Sequence, residues 1–215
     1  MRPQGPYSIT TMASDAAVVM DAAGVGSAHV LGFSMGGFIA QELALHYPER
    51  VRALILAGTA CGGKEAVRAA PEVLVALEAR GVKTPEEGFW MMAPYVYDPS
   101  TLAARIEEDL AASLRTSLQR KSYIAQLKGI ASWAGSHGRL SRLEAPVLII
   151  HGESDQLIPP ENSRILEHVI ANAKVVMIPR AGHRFMTDQP EAASEAILSF
   201  LYNAGWKPVG ALSHK

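Results

Sequence analysis

Three residues of this sequence have the side chains of a nucleophile, a general base and an orienting acid. Ser34 lies in the pattern Gly32-x-Ser34-x-Gly36, between an apolar run and a helical stretch. This pattern is typical of a sharp strand-to-helix turn that holds a serine Oγ up for attack. We expect both positions to need glycine, because a Cβ would crowd the turn. A serine hydroxyl is a weak nucleophile at neutral pH, so it needs a base and an acid, for which His183 and Asp155 are the candidates.

The elements that position these residues follow from four apolar runs with the length of buried strands: 29–33, 51–58, 147–152 and 174–178. Helical periodicity lies before the first run, where Thr10 or Thr11 is the expected N-cap, and also after the first, third and fourth runs. This alternation predicts an α/β fold with a mainly parallel sheet of about four strands. Ser34, Asp155 and His183 each follow the carboxyl end of a predicted strand, the edge at which such sheets bind ligands.

Other residues compete for the roles of acid and base. Glu153 and Asp188 are weaker candidates for the acid. Among seven histidines, His183 is preferred because it follows Ala-Gly at the end of a strand. His151 also lies near a strand end, but it precedes Gly152, so we expect its side chain to be buried in the interior.

Between about 61 and 140 only helical periodicity appears, and four prolines are expected to separate its pieces: Pro71, Pro85, Pro94 and Pro99. The predicted organisation is a discontinuous core (1–62 and 141–203), a helical cap (63–140) and a flexible tail (204–215). The large apolar side chains of the cap either pack it onto the core or line a substrate pocket. The pocket candidates in the cap and the core are Phe33, Trp90, Met91, Tyr95, Trp133 and Leu157.

Composition excludes several classes of protein. Of 215 residues 48% are apolar and the net charge is −1, so nothing favours binding to nucleic acid or to an anionic membrane. Cys61 is the single cysteine, which excludes an internal disulfide and fits a reducing compartment. No apolar stretch is long enough to cross a bilayer, and no metal motif or nucleotide-binding loop is present. The opening residues contain no apolar segment, so we do not expect them to act as a signal peptide. We therefore expect a soluble cytoplasmic protein without metal or cofactor.

The chain resembles the α/β-hydrolase superfamily, and within it the enol-lactonase and esterase-like branch. Five segments carry the resemblance: GPYSI at 5–9, HVLGFSMGG at 29–37, PERV at 48–51, HGESDQLIP at 151–159 and AGHRF at 181–185. The similarity covers nearly the whole chain except the helical insertion, which matches the family's variable cap in position only. The resemblance implies a partial α/β-hydrolase fold and a triad of Ser34, His183 and Asp155.

Residues and resemblance together predict a serine hydrolase that cleaves small apolar carboxylic esters or lactones through an acyl-enzyme. The triad also resembles those of C–C bond hydrolases acting on ring-fission diketones and of cofactor-free perhydrolases or haloperoxidase-like enzymes. A third alternative is a catalytically inert relative or interaction module.

The resemblance further implies strands and a helix ahead of the segment with which this sequence opens. In the family that region carries a His-Gly loop that supplies half of the oxyanion hole. Only the N–H of Met35, the residue after the nucleophile, is then assignable as an oxyanion donor, and losing one such donor lowers turnover about 10²–10³-fold. We expect the first strand to form a sheet edge, which a homo-oligomer would cover. A truncated or incorrectly started reading frame and a redesigned minimal hydrolase are equally compatible with the sequence.

Overall fold

The computed structural model describes residues 7–115, 120–171 and 173–207, and its centre is a sheet of four parallel strands. The strands are paired in chain order: β1 (Ala28–Phe33), β2 (Val51–Ala57), β3 (Val147–Gly152) and β4 (Lys174–Ile178). The mainly parallel sheet expected from the sequence is therefore confirmed. Its two inner strands have almost entirely buried side chains, as a parallel sheet covered on both faces requires.

Helices cover the two faces of the sheet. On one face lie α1 (Ile9–Ala22), α2 (Met35–His46) and α7 (Glu161–Val169), packed against alternate residues of β2 and β3. On the other face α8 (Phe185–Asp188) and α9 (Pro190–Asn203) pack against the intervening residues. Each inner strand thus contributes to two apolar layers. No helix within the described ranges has both the length and the apolar character to cross a bilayer.

Among the described residues, strand β1 has the edge position expected for it, but it is less buried than its apolar run indicated. Within the described residues it pairs only with β2 and forms one edge of the sheet. Gly32 is its one buried residue, whereas the side chain of Leu31 is 44% exposed. An edge strand has a single neighbour to shield it, so its continuous apolar run does not produce complete burial.

The insertion between β2 and β3 is helical, and it contains α3 (Pro71–Arg80), α4 (Pro85–Val96), α5 (Ala103–Arg115) and α6 (Arg120–Ala131). Thr84 and Glu87 form a capping box at the start of α4. Pro94 was expected to separate two helices, but it lies inside α4 near its C-terminal end. The expected N-cap of α1 is also wrong, because Ser8 accepts the hydrogen bond from the backbone N–H of Thr11. Of the predicted segments, 116–119 and most of the tail, 208–215, lie outside the described residues.

A buried carboxylate ties the end of the insertion to α2. Glu42 is 1% exposed and accepts hydrogen bonds from the Arg139 guanidinium and, at 2.7 Å, from Trp133 Nε1. Burial alone would raise the pKa of Glu42, but these hydrogen bonds outweigh it and the pKa lies below its usual range. This pairing keeps the chain around Trp133 against the helix that begins at Met35.

Candidate active site

Ser34 occupies a strained turn between β1 and α2. Its backbone has φ 54° and ψ −122°, a region that residues with a Cβ seldom adopt. Three hydrogen bonds hold it there: its N–H donates to Ala57 O at 2.9 Å, and its carbonyl accepts from Gly37 N–H and from the Thr59 hydroxyl, both at 2.8 Å. Strain of this kind persists only where surrounding contacts impose it, and it is frequent at functional sites.

The glycines of the turn differ in whether the surrounding structure leaves room for a Cβ. A Cβ on Gly32 would lie 2.3 Å from the carbonyl oxygen of Gly36, so the strand can approach the helix only without a side chain there. A Cβ on Gly36 would meet nothing within 4 Å, which contradicts the expectation that both positions are crowded. The second close approach is instead at Gly37, where a Cβ would lie 2.4 Å from Thr59 Oγ1.

The structure brings Ser34, His183 and Asp155 into one hydrogen-bonded line. His183 Nε2 lies 3.0 Å from Ser34 Oγ, and His183 Nδ1 lies 2.7 Å from Asp155 Oδ2. A carboxylate can only accept, so Nδ1 carries the ring proton and Nε2 is left to accept the serine proton. Phe33 packs against the imidazole with ring centroids 4.8 Å apart. In this arrangement the three side chains can act as a nucleophile, a base and an orienting acid.

Asp155 is held by hydrogen bonds on both carboxylate oxygens. Oδ1 accepts from the backbone N–H groups of Leu157 and Ile158 at 2.9 and 2.8 Å, and Oδ2 accepts from the imidazoles of His183 and His151 at 2.7 and 3.0 Å. Burial alone would raise the pKa of Asp155, but the hydrogen bonds from His151 and His183 outweigh it and hold the pKa below its usual range. The acid is therefore ionised throughout the neutral range.

The other two candidates for the acid lie elsewhere. Glu153 is exposed. Asp188 is buried and does not face the ring of His183, but its Oδ2 accepts the backbone N–H of Gly182 at 2.7 Å. The Thr101 hydroxyl donates to Oδ1 at 2.6 Å, so Asp188 joins the loop of His183 to the insertion. Burial, together with the nearby Asp98 carboxylate, raises the pKa of Asp188.

His151 was not predicted to contact the candidate site. Its side chain is fully buried, as expected, but it also contacts the Asp155 carboxylate. The available signal was spacing: His151 precedes Asp155 by four residues, at a point where the chain leaves β3 and turns back. No three His, Cys, Asp or Glu side chains in the part of the chain that the structure describes could hold a metal ion.

A largely apolar cavity of about 690 Å³ extends from Ser34 beneath the insertion. Three of the predicted pocket residues, Phe33, Trp133 and Leu157, line it. Trp90, Met91 and Tyr95 do not. On α4 the cavity is lined instead by Phe89, Met92 and Val96.

The predicted pocket residues of α4 were wrong because they lie on other sides of the helix from the one that faces the cavity. Residues 89, 92 and 96 recur at helical spacing and face inward, whereas Trp90 is 44% exposed and Met91 and Tyr95 pack within the insertion. Large apolar residues occur on all sides of this helix, so size alone did not identify the inner face.

Comparisons with known proteins agree with this fold. A family model described as the alpha/beta hydrolase fold matches residues 2–190. The chain is 33% identical over 202 residues to a poly(3-hydroxyalkanoate) depolymerase of Ectopseudomonas oleovorans, a match that covers 93% of this chain and 69% of the relative. It is 28% identical over 206 residues to 3-oxoadipate enol-lactonase 2 of Acinetobacter baylyi, with 91% and 71% covered. Its fold matches that of a thermophilic esterase from Thermogutta terrifontis with a TM-score of 0.80 and 27% identity, covering 95% of this chain and 75% of the esterase.

Proposed function

Because this chain belongs to the α/β-hydrolase fold family and is a hydrolase, we propose that it cleaves carboxylic esters or lactones through an acyl-enzyme on Ser34. One observation carries the proposal: the unbroken line of hydrogen bonds from Ser34 Oγ through His183 to the ionised Asp155 carboxylate. The enol-lactonase and esterase relatives support the same reaction class.

In the first half-reaction Ser34 Oγ attacks the carbonyl carbon while His183 Nε2 takes the hydroxyl proton. The tetrahedral intermediate collapses as the C–O bond of the leaving group breaks, and the imidazolium gives its proton to the leaving oxygen. A water molecule then attacks the acyl-enzyme with the same base, and Ser34 is released with its proton. Asp155 keeps Nδ1–H directed away from Ser34 and stabilises the imidazolium in both halves.

The negative oxygen of the intermediate needs a donor that is already in place. Met35 is the first residue of α2, and the first N–H groups of a helix have no partner within the helix. We assign its backbone N–H to this oxyanion. The positive end of the helix dipole adds to the stabilisation at the same point.

The substrate we propose is a small apolar ester or lactone. The cavity beside Ser34 is lined mainly by apolar groups of the core and the insertion, including Phe38, Phe89, Met92, Leu127 and Ile130. Apolar lining with a few polar groups near the reacting atoms is the usual composition of such sites.

The test is hydrolysis of a short p-nitrophenyl ester by wild type and by Ser34→Ala, with Ser27→Ala as the matched control in an exposed loop. We expect Ser34→Ala to lose activity, and Ser27→Ala to keep it, with circular dichroism unchanged in both. Turnover retained by Ser34→Ala would contradict the proposal. Parallel assays with lactones and with ring-fission dienones, together with a perhydrolysis assay, separate the proposed reaction from C–C hydrolysis and from perhydrolysis.

A further inference from the structure

His151 is a buried imidazole that the reaction steps above leave without a role. It lies near the end of β3 and its side chain is 0% exposed. Its Nε2 lies 3.0 Å from Asp155 Oδ2 and 2.8 Å from the carbonyl oxygen of Ile158. Its Nδ1 lies 2.8 Å from the hydroxyl of Ser163, in the first turn of α7. Both ring nitrogens are therefore paired in the interior.

These partners decide where the ring carries a proton. Nε2 faces a carboxylate oxygen and a backbone carbonyl, and both can only accept, so Nε2 is protonated and donates. Ser163 can pair with Nδ1 in either direction, so the assignment of the Nε2 proton does not depend on it. The single Nε2–H of His151 is therefore shared between Ile158 O and Asp155 Oδ2, the oxygen that also receives His183 Nδ1–H.

His151 adds a fourth hydrogen-bond donor to the Asp155 carboxylate. Two backbone N–H groups hold Oδ1, and His183 approaches Oδ2 from the side of the active site. His151 approaches Oδ2 from the side of the sheet, and its bond to Ile158 O also fixes the far end of the short turn that begins at Asp155. Without this donor, Oδ2 would keep only His183 among these partners, and only the two N–H bonds to Oδ1 would still oppose a rotation of the carboxylate away from His183.

We propose that His151 is a positioning residue that orients the Asp155 carboxylate towards His183, and that Ser163 fixes the ring of His151 in turn. The inference rests on the proposed serine hydrolase function, because its effect on rate is exerted through the Asp155–His183 pair. The lowered pKa of Asp155 is consistent with it, since the bond from His151 contributes to that shift.

The test compares His151→Leu, which removes the donor, with His151→Gln, whose amide can keep a donor near the position of Nε2. The assay is hydrolysis of a short p-nitrophenyl ester. We expect kcat of His151→Leu to fall about 10–100-fold with KM nearly unchanged, the range that applies when a partner that orients a metal ligand is lost. His151→Gln should recover most of kcat. His29→Leu is the matched control, because His29 is a strand histidine on β1 with no side-chain partner among the described residues.

A second readout does not depend on turnover. The proton between His183 Nδ1 and Asp155 should give a low-field proton NMR resonance that His183→Ala abolishes. We expect His151→Leu to shift or broaden this resonance, and His151→Gln and His29→Leu to leave it in place. If wild type shows no ester turnover, the proposed function fails, yet this resonance still tests the orientation of Asp155.

The inference is overturned if His151→Leu keeps both kcat and the resonance, or if His151→Gln is as impaired as His151→Leu, since bulk packing would then explain the loss. Should His151→Leu fail to fold, Ser163→Ala takes its place. That variant frees one side of the His151 ring, so it should lower kcat in the same direction by a smaller factor. An unchanged kcat and resonance in Ser163→Ala would then contradict the inference, and so would the loss of both in His151→Gln.

Discussion

The sharpest prediction concerns two glycines that lie four residues apart on either side of the turn of Ser34. In Gly32→Ala the new Cβ would stand 2.3 Å from Gly36 O and 2.7 Å from Ala40 Cβ, where ordinary contact begins near 3.4 Å. To restore ordinary contact with Gly36 O, the end of β1 and the start of α2 would have to move apart by about 1 Å. Both contacts are with groups that cannot rotate away.

Two consequences follow from that displacement. Overpacking of this kind lowers the free energy of unfolding by about 1–3 kcal/mol, which corresponds to roughly 2–12 °C in Tm for a chain of this size. A 1 Å shift of Ser34 relative to His183 should also lower kcat/KM by about 10²-fold. Thermal denaturation and ester hydrolysis measure the two effects on the same preparation.

Gly36→Ala is the matched control, because its Cβ would meet nothing within 4 Å. We expect its Tm to be unchanged or slightly raised, since alanine favours a helix more than glycine does. Its kcat/KM should stay within about twofold of wild type. Equal stability and equal activity of the two alanine variants would show that the close approach at Gly32 does not position Ser34.

Three further predictions concern groups outside the triad. Arg139→Leu removes the guanidinium that pairs with the buried Glu42 carboxylate and leaves it with Trp133 Nε1 and the exposed His46. Because the Arg139 side chain is itself partly exposed, the free energy of unfolding in urea should fall by about 1–3 kcal/mol, between the values for surface and buried pairs; a change below about 1 kcal/mol would show that the pair contributes little. Burial raises the pKa of Asp188, so its contribution to stability is complete below about pH 4 and is lost as the pH rises through the raised value. The stability of Asp188→Asn relative to wild type should therefore increase between about pH 4 and pH 7, and a flat difference in urea denaturation would contradict this. Burial raises the pKa of the Cys61 thiol to about 11, so a thiol reagent at about pH 8 should modify it only after unfolding.

The sequence supports prediction of the triad because strand ends are easy to locate in a parallel sheet. The apolar runs 147–152 and 174–178 coincide with β3 and β4, and each is followed within five residues by Asp155 or His183. In a parallel sheet such ends share one edge, so the proximity of the residues followed from topology without knowledge of side-chain packing.

The features that could not be predicted depend on contacts between distant segments. Whether Gly36 or Gly37 is crowded depends on Thr59, which approaches from the end of β2. The inner face of α4 depends on how the insertion lies over Ser34, because large apolar residues occur on all sides of that helix. The contact between His151 and Asp155 forms only because the chain turns back after β3, and the pattern of apolar residues does not predict that turn.

Reaction with a fluorophosphonate probe measures whether Ser34 is an activated nucleophile. Mass spectrometry of the folded protein, before and after proteolysis, should show one adduct on the peptide that contains Ser34. Ser34→Ala should show none, and His183→Ala should react much more slowly because its serine lacks a base. Folded protein that takes no label, or that is labelled equally in wild type and Ser34→Ala, would contradict the account.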